Sequence, residues 1–162
     1  MTGKPASPVC YGSEGDATYM GYADTAEIVA ALNILLEAER AGTQVALATR
    51  KNADNPALAA FMSGIEKDEA HWCAMLKREI EARSGTASTV RGEFYEKAMA
   101  IADPVERLRF LNRGQAWVVR KIEALCPRLP DDALHRALTE MAERHRINIA
   151  ATDDFIVTCE RT

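Results

Sequence analysis

Apolar residues recur every three to four positions through most of the chain, which is the period of helices buried along one face. Ile28, Leu32, Leu35, Leu36, Val45 and Ala46 keep this period from Asp24 to about Lys51, and Asp24 and Glu27 have the spacing of a capping box. A second stripe of Leu58, Phe61, Met62, Ile65, Trp72, Leu76 and Ile80 begins at Asn55-Pro56, an N-cap followed by proline. Ser84-Gly85 ends it, with Gly85 placed to take the residue after the C-cap. A short helix is expected over 92–102. Asp103-Pro104 then opens a third long stripe (Val105, Leu108, Leu111, Val118, Ile122, Leu125), which Pro127 stops. Pro130-Asp131 opens a fourth, carried by Leu134, Leu138, Met141, Ile149 and Phe155 or Ile156.

No segment alternates with a two-residue period, so the expected class is all-α. Four apolar stripes bury each other most simply in a four-helix bundle over 24–162, preceded by a polar arm over 1–23. The first and last inter-helix loops are short and imply antiparallel neighbours. The stretch between Gly85 and Asp103 is long enough either to turn back or to cross the length of a helix of ~39 Å.

Each long stripe contains one central polar residue. Glu39 lies four positions after Leu35, Glu69 four after Ile65, Gln115 four after Leu111 and His145 four after Met141. All four fall near the midpoints of their helices, so a bundle would bring them into one buried layer. Carboxylates buried without partners cost several kcal/mol. Metal binding, protonation, or hydrogen bonds to Gln115 and His145 would each compensate them. Three mid-helix glycines, Gly42, Gly64 and Gly114, point to close helix approach or to room for a ligand.

Composition narrows the setting. The chain has 162 residues, one domain's worth, and a net charge of −4, which gives no basic field for nucleic acid. Its apolar runs are too short to span a membrane, and residues 1–22 lack the apolar stretch of a secretory signal, so a cytoplasmic location is expected. Cys10, Cys73, Cys126 and Cys159 form no CxxC pair and read as reduced thiols. The basic residues Arg107, Arg109, Arg113, Arg120 and Lys121 read as a solvated helix face.

The phrases Leu35-Leu36-Glu37-Ala38-Glu39-Arg40-Ala41-Gly42 and Ile65-Glu66-Lys67-Asp68-Glu69-Ala70-His71-Trp72 resemble the first and second helices of the ferritin-like superfamily. The leading Pro8-Val9-Cys10-Tyr11 through Tyr19-Met20-Gly21-Tyr22 is similar to an uncharacterised bacterial branch of it. The resemblance implies a ferritin-like four-helix bundle with a short extra helix between helices two and three, and homodimerisation. It also implies a carboxylate metal site built from one Glu on each of two helices and Glu-x-x-His on the other two. Glu39 matches the first-helix Glu. Asp68 and His71 have the three-residue spacing, yet His71 is off the stripe and Trp72 stands where the histidine belongs if Glu69 is the carboxylate. Gln115 replaces a third-helix carboxylate, and Ala142 stands three residues before His145 where the motif has Glu.

Two readings are therefore open. One metal ion (iron, manganese or zinc) is held by Glu39, Glu69 and His145, with Gln115 beside it and Asp68 and His71 as further candidates. In the other, no metal binds, the layer is a structural hydrogen-bond network, and the bundle acts by oligomerisation or partner binding.

Overall fold

The computed structural model describes residues 20–161. Its helices are α1 (Thr25–Lys51), α2 (Pro56–Ala82), a short α3 (Phe94–Met99), α4 (Pro104–Leu125) and α5 (Asp132–Glu160), with one 3-10 turn at Cys126–Arg128. No strand occurs among the described residues. Residues 1–19 of the expected arm, with Cys10, lie outside them.

Side chains satisfy the free N–H groups at the start of each long helix. Asp24 accepts from Glu27 N at 2.8 Å while Glu27 accepts from Asp24 N at 3.0 Å. Asn55 and Asp103 cap α2 and α4, each followed by proline in the first turn. One oxygen of Asp131 accepts from Ala133 N and Leu134 N, and the other accepts from Arg83 at 2.5 Å, which ties the start of α5 to the end of α2. Asp131→Ala should therefore cost about 1–2 kcal/mol in urea unfolding. Asp131→Asn, which keeps the cap and loses only the ion pair, should cost less than half of that.

The connection between α2 and α4 is a crossover. Asn33 donates to Thr86 O and accepts from Ser88 N, Arg40 donates to Ser88 O and Val90 O, and Arg91 donates to Gln44. The segment thus climbs along α1 from its first turns past its middle. Pro104 then starts α4 beside Thr49, Asn52 and Leu58, at the far end of the bundle. At the near end, Ala23 N donates to Arg128 O at 2.8 Å. α4 therefore runs antiparallel to α1. The helix pairs α1/α2, α4/α5, α1/α4 and α2/α5 touch, and the other two lie on the diagonals.

Two local details differ from the expected ones. The short helix covers only Phe94–Met99, and beyond it Ile101 O accepts from the Arg107 guanidinium. At the end of α2 it is Ser84 (φ 57°) that adopts the left-handed conformation. Gly85 is required for approach instead: a Cβ there would lie 2.7 Å from Val29 Cγ1.

The core is divided. Leu32, Leu35, Leu36, Leu76, Ile80, Ile122, Leu134 and Leu138 belong to one apolar cluster. Val45, Met62, Ile65, Leu108, Leu111 and Ile156 belong to another. In α5 the buried position is Asn148, with Ile149 only half-buried, so the inward stripe is more polar than the apolar residues alone suggest.

Candidate functional site

Between the two apolar clusters lie Glu39, Glu69, Gln115 and His145, one from each long helix, all at most 3% exposed. Each sits where the helical period carries it inward between apolar neighbours. One ligand atom from each of Glu39, Glu69 and His145 lies within 4.8 Å of the others. No other group of three or more His, Cys, Asp or Glu with this spacing occurs among the described residues.

His145 is fixed from both sides. Its Nδ1 lies 3.0 Å from Met141 O, one turn back in α5, and its Nε2 lies 3.1 Å from Glu39 Oε1. Met141 O can only accept, so Nδ1 carries a proton, and Nε2 donates to the Glu39 carboxylate in the imidazolium form. Burial works against that charge, but the negative charge of Glu39 and the two hydrogen bonds outweigh it, so the pKa is raised. The carboxyl of Glu69 is held well above the usual range, first by burial, then by the negative charge of Glu39 and by the hydrogen bond that the protonated carboxyl makes to Glu39, with a smaller contribution from Asp68. Glu69 reaches this place because Gly42 faces it. A Cβ on Gly42 would fall 2.8 Å from Glu69 Cδ and closer still to Oε2.

Several polar atoms in the layer lack fixed partners within the protein. Both Oε1 and Nε2 of Gln115 are buried with no hydrogen bond, and Glu39 Oε2 is buried with none from a fixed donor, the Glu69 carboxyl donating to Glu39 only when protonated. Native proteins pair the large majority of such atoms. Two carboxylates, an imidazole and an unpaired amide oxygen are the donors that suit a divalent transition ion, so this group is compatible with metal binding.

Asp68 and His71 are not in the group. Asp68 faces α5, accepting from Asn148 Nδ2 at 3.1 Å with Arg144 4.0 Å away. His71 is exposed and meets Trp72 edge-on, with ring centroids 4.6 Å apart. Trp72 itself is buried, and its Nε1 has no partner. Helical phase explains the split, since His71 lies two residues after Glu69 and so ~200° around the helix.

Sequence reasoning passed over Asn112, Asn148 and Thr152, which are buried beside the layer. Asn112 donates to Ile149 O and to Asp153 Oδ1, and Thr152 donates to Asn148 O. Their signal was present: Asn148 and Thr152 lie three and seven residues after His145, on the same face.

The solved structure of a ferritin like, diiron-carboxylate protein from Bacillus anthracis str. Ames superposes on this chain with a TM-score of 0.60, covering 85% of this chain and 95% of that one at 17% identity. At that identity the likeness concerns the fold, which is ferritin-like. No curated protein matches the sequence. The model of a domain of unknown function, DUF6306, matches residues 26–154. That match takes in α2, α4, nearly all of α1 and most of α5, with Glu39, Glu69, Gln115 and His145, and the chain therefore belongs to the DUF6306 family, with a ferritin-like bundle as its fold.

Proposed function

We propose that this protein binds one transition-metal ion in the centre of the bundle through Glu39, Glu69 and His145, with the Gln115 amide beside it. The observation that carries the reading is the convergence of three buried ligand atoms within 4.8 Å of one another, beside a buried amide that has no partner. The neighbour's description as a diiron-carboxylate protein makes iron a candidate beside manganese and zinc. A second ion lacks ligands, since Trp72 and Ala142 occupy positions where a histidine and a carboxylate would complete a two-metal motif. When bound, the ion would supply Lewis-acid or redox chemistry.

The protein's own groups would prepare that binding. Met141 O orients the His145 ring so that Nε2 faces Glu39. The Nε2 proton and the proton on Glu69 must leave for these atoms to act as ligands. Metal affinity should therefore rise with pH, and binding should release close to two protons at slightly acidic pH. Calorimetry in buffers of differing ionisation enthalpy measures this number, and a value of zero would contradict the ligand set.

The direct test is elemental analysis of untagged protein from cells supplied with iron and manganese, purified without chelator, beside Glu39→Ala. The expected result is near-stoichiometric metal that the variant loses. Absence of metal, also after reconstitution with iron, manganese and zinc, would leave the structural-network reading, in which the layer sets helix register. The proposal includes a cytoplasmic setting that keeps Cys73, Cys126 and Cys159 reduced, and a homodimer, which sedimentation measures.

A further inference from the structure

A cavity of about 650 Å³ opens between α1 and α4, with α3 across one end. Sites that enclose small organic molecules measure roughly 300–1,000 Å³. The space exists because the facing side chains are small: Ala38, Ala41 and Gly42 on α1 and Gly114 on α4. Phe94 of α3 lies directly over Gly114, where an added Cβ would come within 2.6 Å of its Cζ. An aromatic ring thus roofs this end, and Phe110, Trp117 and Val118 keep the walls apolar.

Polar groups stand at opposite edges of the slot. Around α4, Gln115 lies ~100° from Gly114 toward the bundle interior, whereas Arg113 and Arg120 lie ~100–120° from it on the other side. Gln115 is 3% exposed, and neither its Oε1 nor its Nε2 has a partner. Buried amides are rarely left in that state, so its place on the cavity lining calls for a ligand atom. At the outer edge, Glu93 is paired with Lys97 at 3.0 Å and Glu37 accepts from Ser88 Oγ at 2.5 Å. Arg113 and Arg120 are exposed and enter no ion pair among the described residues. Arg113, whose guanidinium lies 5.3 Å from the centroid of the Phe110 ring, and Arg120 are thus the cations there without a carboxylate partner, while Glu37 keeps its negative charge, which a hydroxyl does not neutralise. At the floor, the Glu39 and Glu69 carboxyl groups oppose an anion.

We propose that this cavity binds a small organic acid with an apolar body. Arg113 and Arg120 hold its carboxylate at the mouth, and a hydroxyl or carbonyl at its inner end hydrogen-bonds to Gln115. The apolar walls select the body, the paired donor and acceptor of the amide select the inner group, and the two guanidinium groups select the acid. The proposal goes beyond the metal reading and does not require it.

Calorimetric titration of metal-free and metal-loaded protein tests it with 3-(4-hydroxyphenyl)propionate, its methyl ester, 3-phenylpropionate and decanoate, the last as a flexible body. The hydroxyphenyl acid should bind, and its ester at least ~10-fold more weakly. The double variant Arg113→Gln/Arg120→Gln should lose a similar factor for the acid and none for the ester. Both sites are exposed, so the variant should keep the parent's melting curve. Gln115→Leu should erase the preference for the hydroxyphenyl over the phenyl acid. No saturable binding of any probe up to about 10 mM, equal binding of acid and ester, or unchanged affinity in the double variant would overturn the proposal. Metal content, measured on the same samples, reports separately on the metal reading.

Discussion

Metal-free Glu69→Gln protein should melt at a higher temperature than the parent, and the gap should widen as pH rises from about 5 to about 9. Glu69 ionises only against burial and against the Glu39 charge, so its pKa is raised in the folded state. For a group of this kind, stability is fully present below the unfolded-state pKa and is lost as pH climbs through the folded value. The loss is at most ~1.4 kcal/mol per pH unit, and each kcal/mol is worth about 2–4 °C in a chain of this size. The variant carries an amide that does not titrate, so it escapes this loss. His145, whose pKa is also raised, loses stability over a window beginning near the ordinary histidine value, and it does so in both proteins. Metal should invert the order. The parent should gain ~2.7 kcal/mol at a free metal concentration a hundred times Kd, while the variant, short of one anionic ligand, should gain little. A variant that melts lower than the parent without metal, or is stabilised equally by metal, would remove Glu69 from the site.

The four central residues were legible because a helix period turns sequence spacing directly into direction. Once Leu35, Ile65, Leu111 and Met141 are inward, the residues four positions later are inward as well. The caps were legible for a similar reason, since Asp24, Asn55, Asp103 and Asp131 act on N–H groups two or three residues away. The crossover was legible only as one of the two courses that its length allows. Its course depends on hydrogen bonds from Asn33 and Arg40 to backbone some fifty residues distant, which no local pattern encodes. Gly85 shows the same limit from the other side. Its place at a helix end suggested a left-handed conformation, but contact with Val29 decided its identity. Asn148 was missed because an inward asparagine next to Ile149 looks, by hydrophobicity alone, like an outward one.

The glycines supply the sharpest discrimination between a site and a packed core. Glycine inside a helix costs about 1 kcal/mol relative to alanine, and Gly42 and Gly64 both sit mid-helix. A Cβ on Gly64 would meet nothing within 4 Å, so neither close packing nor ligand room accounts for that glycine. Gly64→Ala should raise stability by about 1 kcal/mol and leave metal affinity unchanged. A Cβ on Gly42 would press on the carboxyl end of Glu69. That end is flexible, so the helix should keep its course and the side chain should swing away from Glu39 and His145. Gly42→Ala should therefore keep or slightly raise the melting temperature of metal-free protein while metal affinity falls ~10–100-fold, the range seen when support for a ligand is lost. Melting curves with and without metal separate the two effects. Equal metal affinity in Gly42→Ala and Gly64→Ala would mean that the seat of Glu69 over Gly42 serves packing alone.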